Sequence, residues 1–243
     1  MNKMKIEIWS DIACPYCYIG KRRLEEALSQ FPHANDIELV WRSYELNQNL
    51  PKGSLGKSIY QYMAEMHKTT EQDERNSMQG LVKLAQSVGL NFDFDKLIVT
   101  NTSDALRLVK LAAKHALANE AEEVLFKAYF VDGKDISSRD ALIQVGTSIG
   151  LPETEITNML DSDIYISDIK KDIQHSESKL KLEYIPFYLF NNKDNIQGSL
   201  TTEEYARVLH KSYDYWKQNG VADELSNDRI GGQACSIDGV CSL

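Results

Sequence analysis

Residues 10–21 read Ser-Asp-Ile-Ala-Cys-Pro-Tyr-Cys-Tyr-Ile-Gly-Lys and contain a Cys-x-x-Cys motif. Before the motif, residues 5–9 alternate apolar and polar side chains, which is typical of a β-strand. After it, apolar side chains recur at helical spacing through residues 15–30, and a second strand pattern follows at residues 37–44. The motif therefore lies in a predicted strand–helix–strand unit, whose two strands pair in parallel through a right-handed crossover.

The two cysteines of the motif stand where the helix is expected to begin. A thiolate at a helix N-terminus is stabilised by unsatisfied backbone N–H groups and by the positive end of the helix dipole. We therefore expect Cys14 to be ionised at neutral pH and to act as the nucleophile, and Cys17 to resolve the mixed disulfide. Pro15 suits the first helical position because no N–H donor is needed there, and Tyr16 adds an aromatic ring between the cysteines. The spacing alone leaves a zinc half-site and an accidental cysteine pair as alternatives.

The composition is that of a globular protein without a nucleic-acid or membrane partner. The chain has 243 residues, of which 42% are hydrophobic, and a formal net charge of −9. An acidic chain without runs of Lys and Arg lacks the charge pattern of nucleic-acid binders and is repelled by anionic lipid. No apolar run reaches transmembrane length, and Glu7 and Asp11 interrupt the stretch where a signal peptide needs its apolar core. We therefore expect a cytoplasmic location, where cysteine pairs are more often catalytic than structural.

After the first unit, the pattern changes to a series of helices and then returns to strands. Residues 47–56 are rich in turn formers, and helical periodicity predominates from there to residue 160. The predicted helices span residues 59–67, 71–88, 103–118, 121–131, 138–149, 153–160 and 163–179. Strands are predicted at 187–190 and 196–197, and a last helix follows the capping box of Thr201 and Glu204.

These elements predict an α/β protein with a large insertion. Residues 1–58 and 163–220 are expected to form one domain with the order βαβ…ββα. Residues 59–162 are expected to form an all-helical insertion domain, and residues 221–243 a C-terminal tail. No internal repeat is present.

Several segments resemble one family. Residues 10–21 resemble the active-site segment of the DsbA-like thioredoxin family, and in particular its cytoplasmic FrnE-like branch. That family also includes 2-hydroxychromene-2-carboxylate isomerases and kappa-class glutathione transferases. Residues 101–107 and 128–136 resemble the insertion of this branch, and residues 185–187 resemble the segment that carries the family's cis-proline. The resemblance implies a thioredoxin-like fold with a helical insertion over nearly the whole chain.

The resemblance also implies an activity and further site residues. It implies a dithiol–disulfide oxidoreductase that acts on protein or peptide thiols and disulfides without a cofactor, with glutathione or a thioredoxin-type reductant as a further partner. Pro186 is expected to be cis and to face Cys14, and the backbone of Ile185 to pair with an extended substrate peptide. Tyr16 is a further candidate for substrate binding.

Some positions depart from the family pattern. Residues 181–184 replace the glycines usual before the cis-proline, Leu106 stands where the branch commonly has a histidine, and residues 198–200 replace a usual Gly-Ala-Gln. Ile8 stands six residues before the nucleophile, where many thioredoxin-fold enzymes bury a carboxylate. Asp11 is the nearest acidic side chain, although an aspartate just before a helix is more often a cap or turn residue.

A second cysteine pair, Cys235 and Cys241, flanks an Asp238-Gly239 turn in the tail. A bridge across so short a loop would stabilise the tail by only about 2 kcal/mol. This favours a redox-active or regulatory role, and the FrnE-like branch often carries a comparable pair. Inert thiols and metal binding stay open for this pair, although the five histidines show no ligand spacing and no metal site is expected.

Two other functions stay open. A glutathione-dependent isomerase or transferase could use the same fold, although those relatives typically have a lone serine at the nucleophile position. A zinc-containing or redox-switched interaction protein could use all four cysteines.

Overall fold

The computed structural model describes residues 2–226 and 229–236. Within that range the chain forms two compact units. One unit contains the described residues up to Leu46 and those from Asp172 onward, and the other contains Asn47–Lys171. The strands and helices, in chain order, are β1 (Met4–Ser10), α1 (Pro15–Ser29), β2 (Ile37–Ser43), β3 (Ser54–Ser58), α2 (Ile59–His67), α3 (Glu71–Gln86), β4 (Ile98–Thr100), α4 (Ser103–Lys114), α5 (Ala118–Phe130), α6 (Arg139–Ser148), α7 (Glu153–Leu160), α8 (Ile166–His175), β5 (Tyr184–Ile185), β6 (Phe187–Phe190), β7 (Asp194–Gln197), α9 (Thr202–Asn219), β8 (Arg229–Gly231) and β9 (Cys235–Ser236).

The first unit is built on a five-stranded sheet with the order β2-β1-β6-β7-β8. β1 pairs in parallel with β2, from Met4 opposite Ile37 to Ser10 opposite Ser43. On its other edge β1 pairs antiparallel with β6, which forms an antiparallel hairpin with β7. The predicted order βαβ…ββα is therefore confirmed.

Burial explains why these strands form the centre of the first unit. All four residues of β6 and all four of β7 are buried, so the two strands are covered on both faces. Helix α1 packs against α9. At the start of α9, Thr201 accepts a hydrogen bond from the Glu204 N–H, and the Glu204 carboxylate accepts one from the Thr201 N–H. The predicted capping box is therefore present, and it fixes where α9 begins.

The second unit is predominantly helical, as predicted, and one short strand also lies within residues 59–162. β4 lies inside that range and pairs antiparallel with β3 in a small two-stranded sheet. β4 has three residues, too few for a period-2 pattern to be seen, and Gly56 interrupts β3 with a positive φ of 65°. Helices α2 and α3 each begin at a capping box, formed by Ser58 with Gln61 and by Thr70 with Asp73.

The described units and elements also differ from the expected bounds elsewhere. The units divide at Leu46 and at Lys171, whereas the sequence led us to expect divisions after residues 58 and 162. The helix predicted over residues 163–179 begins at Ile166, and its last part is a π-helical turn, Ser176–Leu180. No helix in the described part of the chain is both long and apolar enough to cross a lipid bilayer.

The tail, which carries no clear pattern in the sequence, contributes two strands to the first unit. β8 pairs in parallel with β7, from Asn195 opposite Arg229 to Gln197 opposite Gly231. β9 pairs antiparallel with β5, just before Pro186. Three-residue and two-residue strands are too short to be recognised from periodicity, and here the pairing partner determines them.

Candidate active site

Helix α1 begins at the Cys-x-x-Cys motif. Cys14 is the N-cap residue, with extended backbone angles (φ −92°, ψ 111°), and Pro15 is the first helical residue. The Cys14 N–H donates to the carbonyl of Asp11 at 3.0 Å, and the Cys17 N–H donates to the carbonyl of Cys14 at 3.1 Å. The side chains of Cys14 and Cys17 are therefore held one helical turn apart, at the N-terminal end of α1. Neither cysteine is in a disulfide.

The cis-proline segment lies against this helix start. The Ile185–Pro186 peptide bond is cis, as the resemblance implied. The Cys14 Sγ lies 3.8 Å from the carbonyl oxygen of Ile185. The structure thus brings Cys14, Ile185 and Pro186 together from positions more than 170 residues apart in the chain.

Both thiols are closed off from solvent. Cys14 is 0% exposed and Cys17 is 1% exposed. Burial raises the pKa of the Cys17 thiol well above its ordinary value, and its hydrogen bond with Cys14 and the charge interaction between the two raise it further. Cys17 is therefore a neutral thiol at physiological pH.

Tyr16, the proposed substrate contact between the cysteines, is fully buried as well. Burial raises the pKa of its hydroxyl to about 12, with a further contribution from Cys14, while Arg23 acts in the opposite direction. In this structure the ring of Tyr16 has no surface that a substrate could touch, so such a contact would require it to be uncovered.

Asp11 is a turn residue that holds the loop before the motif. One carboxylate oxygen accepts the N–H of Ala13 at 3.2 Å, and the other accepts the N–H of Leu46 at 2.7 Å. With both oxygens used in this way, Asp11 ties the end of β1 to the segment after β2. The cap or turn role favoured for this residue is the one it has here.

On β1, the position where many thioredoxin-fold enzymes bury a carboxylate is occupied by an apolar side chain. The residue opposite it on β6 is a tyrosine. Ile8 is buried, and its pairing partner on β6 is Tyr188. The ring of Tyr188 packs edge-to-face against Tyr205 of α9, with the ring centroids 5.1 Å apart. Burial raises the pKa of the Tyr188 hydroxyl well above its ordinary value. Tyr188 was not among the predicted site residues, although strand alternation from Pro186 places its side chain on the same face as that of the proline.

The second cysteine pair is only partly described. Cys235 is disulfide-bonded and buried, whereas Cys241, the other predicted member of the pair, lies outside the described residues. Cys235 stands opposite Ile185 in the pairing of β9 with β5. The tail therefore brings a second redox-capable cysteine to the cis-proline segment, which sequence spacing could not indicate.

Arg23 of α1 is a further residue that the sequence analysis did not identify. Its guanidinium donates to the Ser199 hydroxyl and to the Leu200 carbonyl, both at 3.1 Å, and to the Gln233 side-chain carbonyl at 3.4 Å. Arg23 thus connects α1, the turn after β7 and the tail. The described residues contain no group of three or more His, Cys, Asp and Glu side chains arranged to hold a metal ion.

Comparison with known proteins gives one family and several similar folds. Residues 5–210 match the sequence model of the DSBA-like thioredoxin domain. The probable DsbA oxidoreductase SCO1869 from Streptomyces coelicolor is similar over 99% of both chains, with a TM-score of 0.81 and 24% identity.

Two further solved structures share the fold at lower similarity. The cytosolic disulfide reductase DsbM from Pseudomonas aeruginosa, solved with GSH, has a TM-score of 0.58 and 15% identity, covering 88% of this chain and 98% of that chain. A 2-hydroxychromene-2-carboxylate isomerase has a TM-score of 0.60 and 15% identity, covering 89% of this chain and 98% of that chain. At these identities the likeness concerns the fold.

Proposed function

The chain belongs to the DSBA-like thioredoxin domain family, and from this membership we propose that it is a dithiol–disulfide oxidoreductase acting on protein or peptide substrates. The observation that carries the proposal is the position of Cys14. Its sulfur lies at the N-terminus of α1, one turn from Cys17 and 3.8 Å from the carbonyl of Ile185 beside the cis-proline. A zinc site or an accidental pair of cysteines does not need this third element.

In the proposed reaction the Cys14 thiolate attacks one sulfur of a substrate disulfide. The substrate S–S bond breaks, a mixed disulfide with Cys14 forms, and the other substrate sulfur leaves as a thiolate. Cys17 then gives up its proton and attacks the Cys14 sulfur, which releases the second substrate thiol and leaves a Cys14–Cys17 disulfide. Two electrons pass from the protein to the substrate, and the reverse sequence oxidises a substrate dithiol.

The order of the two cysteines follows from their surroundings. Cys14 occupies the N-cap of α1, and its sulfur lies 3.8 Å from the carbonyl oxygen of Ile185 at the cis-proline segment. Cys17 is held as a neutral thiol by burial, so it reacts only once Cys14 carries the substrate. We propose Ile185 and Pro186 as the substrate-binding residues, with Tyr16 contributing when it is uncovered.

We propose Cys235 and Cys241 as a secondary redox pair. Cys235 is disulfide-bonded and lies at the cis-proline segment, where a disulfide is close to the reacting thiols. We also propose a cytoplasmic location, in which permanent disulfides are rare, so that this bond would be made and broken in use. Glutathione or a thioredoxin-type protein would then supply the reducing equivalents.

A glutathione-dependent isomerase or transferase is the second candidate, because a 2-hydroxychromene-2-carboxylate isomerase shares the fold. The Cys14–Cys17 pair argues against it, since those relatives typically have a lone serine at the nucleophile position. The zinc-containing interaction protein would require four thiolates, whereas Cys235 is in a disulfide here.

The proposal is tested by the reduction of insulin with the full-length protein, Cys14→Ser, Cys17→Ser and Cys235→Ser. We expect Cys14→Ser to abolish turnover, Cys17→Ser to accumulate a mixed disulfide with insulin, and Cys235→Ser to keep the first step. Unchanged turnover in Cys14→Ser would reject the oxidoreductase. Glutathione-dependent isomerase or transferase activity that survives Cys17→Ser would favour the second candidate.

A further inference from the structure

The backbone edge proposed for substrate is already occupied by the protein's own tail. β9 pairs antiparallel with β5, and Ile185 stands opposite Cys235, with Tyr184 opposite Ser236. In antiparallel pairing an opposing residue lies about 5 Å away, Cα to Cα, and uses the same backbone groups that an added peptide strand would use. A substrate peptide and β9 therefore cannot pair with this edge of β5 at the same time.

The residues around this pairing are buried. Ile185 and Cys235 are each 0% exposed, as is Cys14, whose sulfur faces the carbonyl of Ile185. A thiolate–disulfide exchange needs the attacking sulfur to approach along the axis of the substrate S–S bond. With the nucleophile and its neighbouring backbone edge both covered, the structure represents a closed state of the site.

Several hydrogen bonds join the tail to the sheet up to Gln233. β8 adds to the sheet along β7, and Gln233 and Ser199 exchange two backbone hydrogen bonds, at 2.7 and 3.1 Å. The Gly232 N–H donates to the carbonyl of Gln197 at 2.8 Å, and Arg23 reaches the Gln233 side chain. Beyond that point the described pairing is the two-residue strand β9. β9 pairs with β5 outside the five-stranded sheet, so this pairing can open without separating any strand of that sheet.

We propose that β9 is an autoinhibitory strand that covers the substrate edge of β5 and must leave it before an extended polypeptide can reach Cys14. The proposal rests on the proposed function, because it assigns the regulation of that same site. In the closed state β9 competes with substrate for the backbone of Ile185. In the open state the backbone hydrogen bonds of Gly232 and Gln233 to the sheet, here called the anchor, keep the tail attached. The strand can therefore return after product release.

The experiment compares two ways of weakening β9 with a matched control in the full-length chain. Gly198→Ala acts from the side of β7, because a Cβ there would lie 2.6 Å from the carbonyl carbon of Gly232. Gly231→Ala is the matched control, since nothing lies within 4 Å of its Cβ position. Gly232→Ala acts from the anchor, because a Cβ there would lie 2.5 Å from the carbonyl oxygen of Ser199 and would push the tail outward. Each protein is reduced, and two rates are measured: labelling of Cys14 by iodoacetamide, followed by peptide mapping, and reduction of a cystine-bridged peptide in a single turnover. Hydrogen exchange over residues 182–190 reports whether β9 has opened.

We expect Gly198→Ala and Gly232→Ala to raise both rates by roughly fivefold to tenfold, as the loss of one or two net hydrogen bonds allows. Gly231→Ala is expected to stay within about twofold of the unmodified protein. If neither Gly198→Ala nor Gly232→Ala accelerates Cys14 labelling, the autoinhibitory strand is rejected. If labelling accelerates but no protein reduces the peptide in a Cys14-dependent way, the covering role of β9 stands and the proposed oxidoreductase function fails.

Discussion

The Tyr188 hydroxyl occupies the space that a side chain at Gly20 would fill. A Cβ built on Gly20 would collide with this hydroxyl and would also lie 3.2 Å from the Tyr205 hydroxyl and 3.3 Å from Cγ of Pro186. Gly20 lies one turn after Cys17 on α1. The absence of a side chain at this position therefore lets α1 pack directly against the cis-proline and the two buried phenols.

Gly20→Ala is expected to destabilise the protein by about 1–3 kcal/mol, because the buried atoms that it meets have little room to move. The measurement is urea unfolding followed by circular dichroism. Gly80→Ala is the matched control: Gly80 also lies in a helix, α3, but nothing lies within 4 Å of its Cβ position. That substitution is expected to be neutral or to stabilise by up to about 1 kcal/mol.

A second variant tests the cause of this effect. In Gly20→Ala combined with Tyr188→Phe, the colliding oxygen is absent, so part of the lost stability should return. If the two substitutions simply add, the collision with Tyr188 is not what makes Gly20 necessary.

Alkaline pH should destabilise the fold through Tyr188. Burial raises the pKa of its hydroxyl in the folded protein above the value of about 10 in the unfolded chain. The stability from this group is therefore complete below pH 10 and is lost as the pH rises from about 10 towards the folded pKa. The free energy of unfolding should fall by about 1.4 kcal/mol per pH unit for this one proton. Tyr188→Phe should remove this contribution to the slope of unfolding free energy against pH. Tyr184→Phe is the control, because Tyr184 is 42% exposed. Equal slopes in the two variants would contradict the prediction.

Native alkylation at pH 8 should modify Cys14 before Cys17. The raised pKa of Cys17 keeps it as an unreactive thiol, since the thiolate is the species that reacts. The measurement is iodoacetamide labelling of the reduced protein followed by peptide mapping at several times. In guanidinium chloride both thiols should react at similar rates, which provides the control. Cys17 labelling as fast as that of Cys14 in the native protein would show that its burial does not protect it.

Asp11→Ala should cost about 2–4 kcal/mol of stability, because it leaves the backbone N–H groups of Ala13 and Leu46 without their acceptors. Asp11→Asn retains one carbonyl oxygen and should cost less. If Asp11 instead served as the proton acceptor for Cys17, Asp11→Asn would keep stability but slow the release of the mixed disulfide. A stopped-flow measurement of that release, next to urea unfolding, separates the two roles.

The elements nearest the motif are those that the sequence predicts best. The start of α1 follows from a cysteine pair with proline at the second position, and the parallel pairing of β1 with β2 follows from a helix between two apolar strands. These features are local, because the residues that determine them lie close together in the sequence. The capping box at Thr201 belongs to the same class, since its hydrogen bonds join residues three apart.

The features that the sequence does not predict are those that depend on a distant partner. β9 consists of two residues, and only the presence of β5 some 50 residues earlier makes it a strand. In the sequence, nothing distinguishes Tyr188 from the other apolar residues of β6. Its position becomes clear only in the folded protein, where it lies beside Ile8 and Gly20. Burial of Cys14 is likewise a property of the assembled fold, because nothing in the Cys-Pro-Tyr-Cys segment indicates what covers it.

The parallel addition of β8 to β7 also bears on how the molecule resists self-association. β7 would otherwise end the sheet with a row of open backbone N–H and C=O groups, which is a template for strands of other molecules. With β8 added, the edge is a shorter strand of three residues. Because the connection from β7 to β8 runs through α9, β7 is covered only after that helix has docked. Substitutions that loosen β8, or slow docking of α9, should therefore lower the soluble yield on expression before they lower the stability of protein that has already folded.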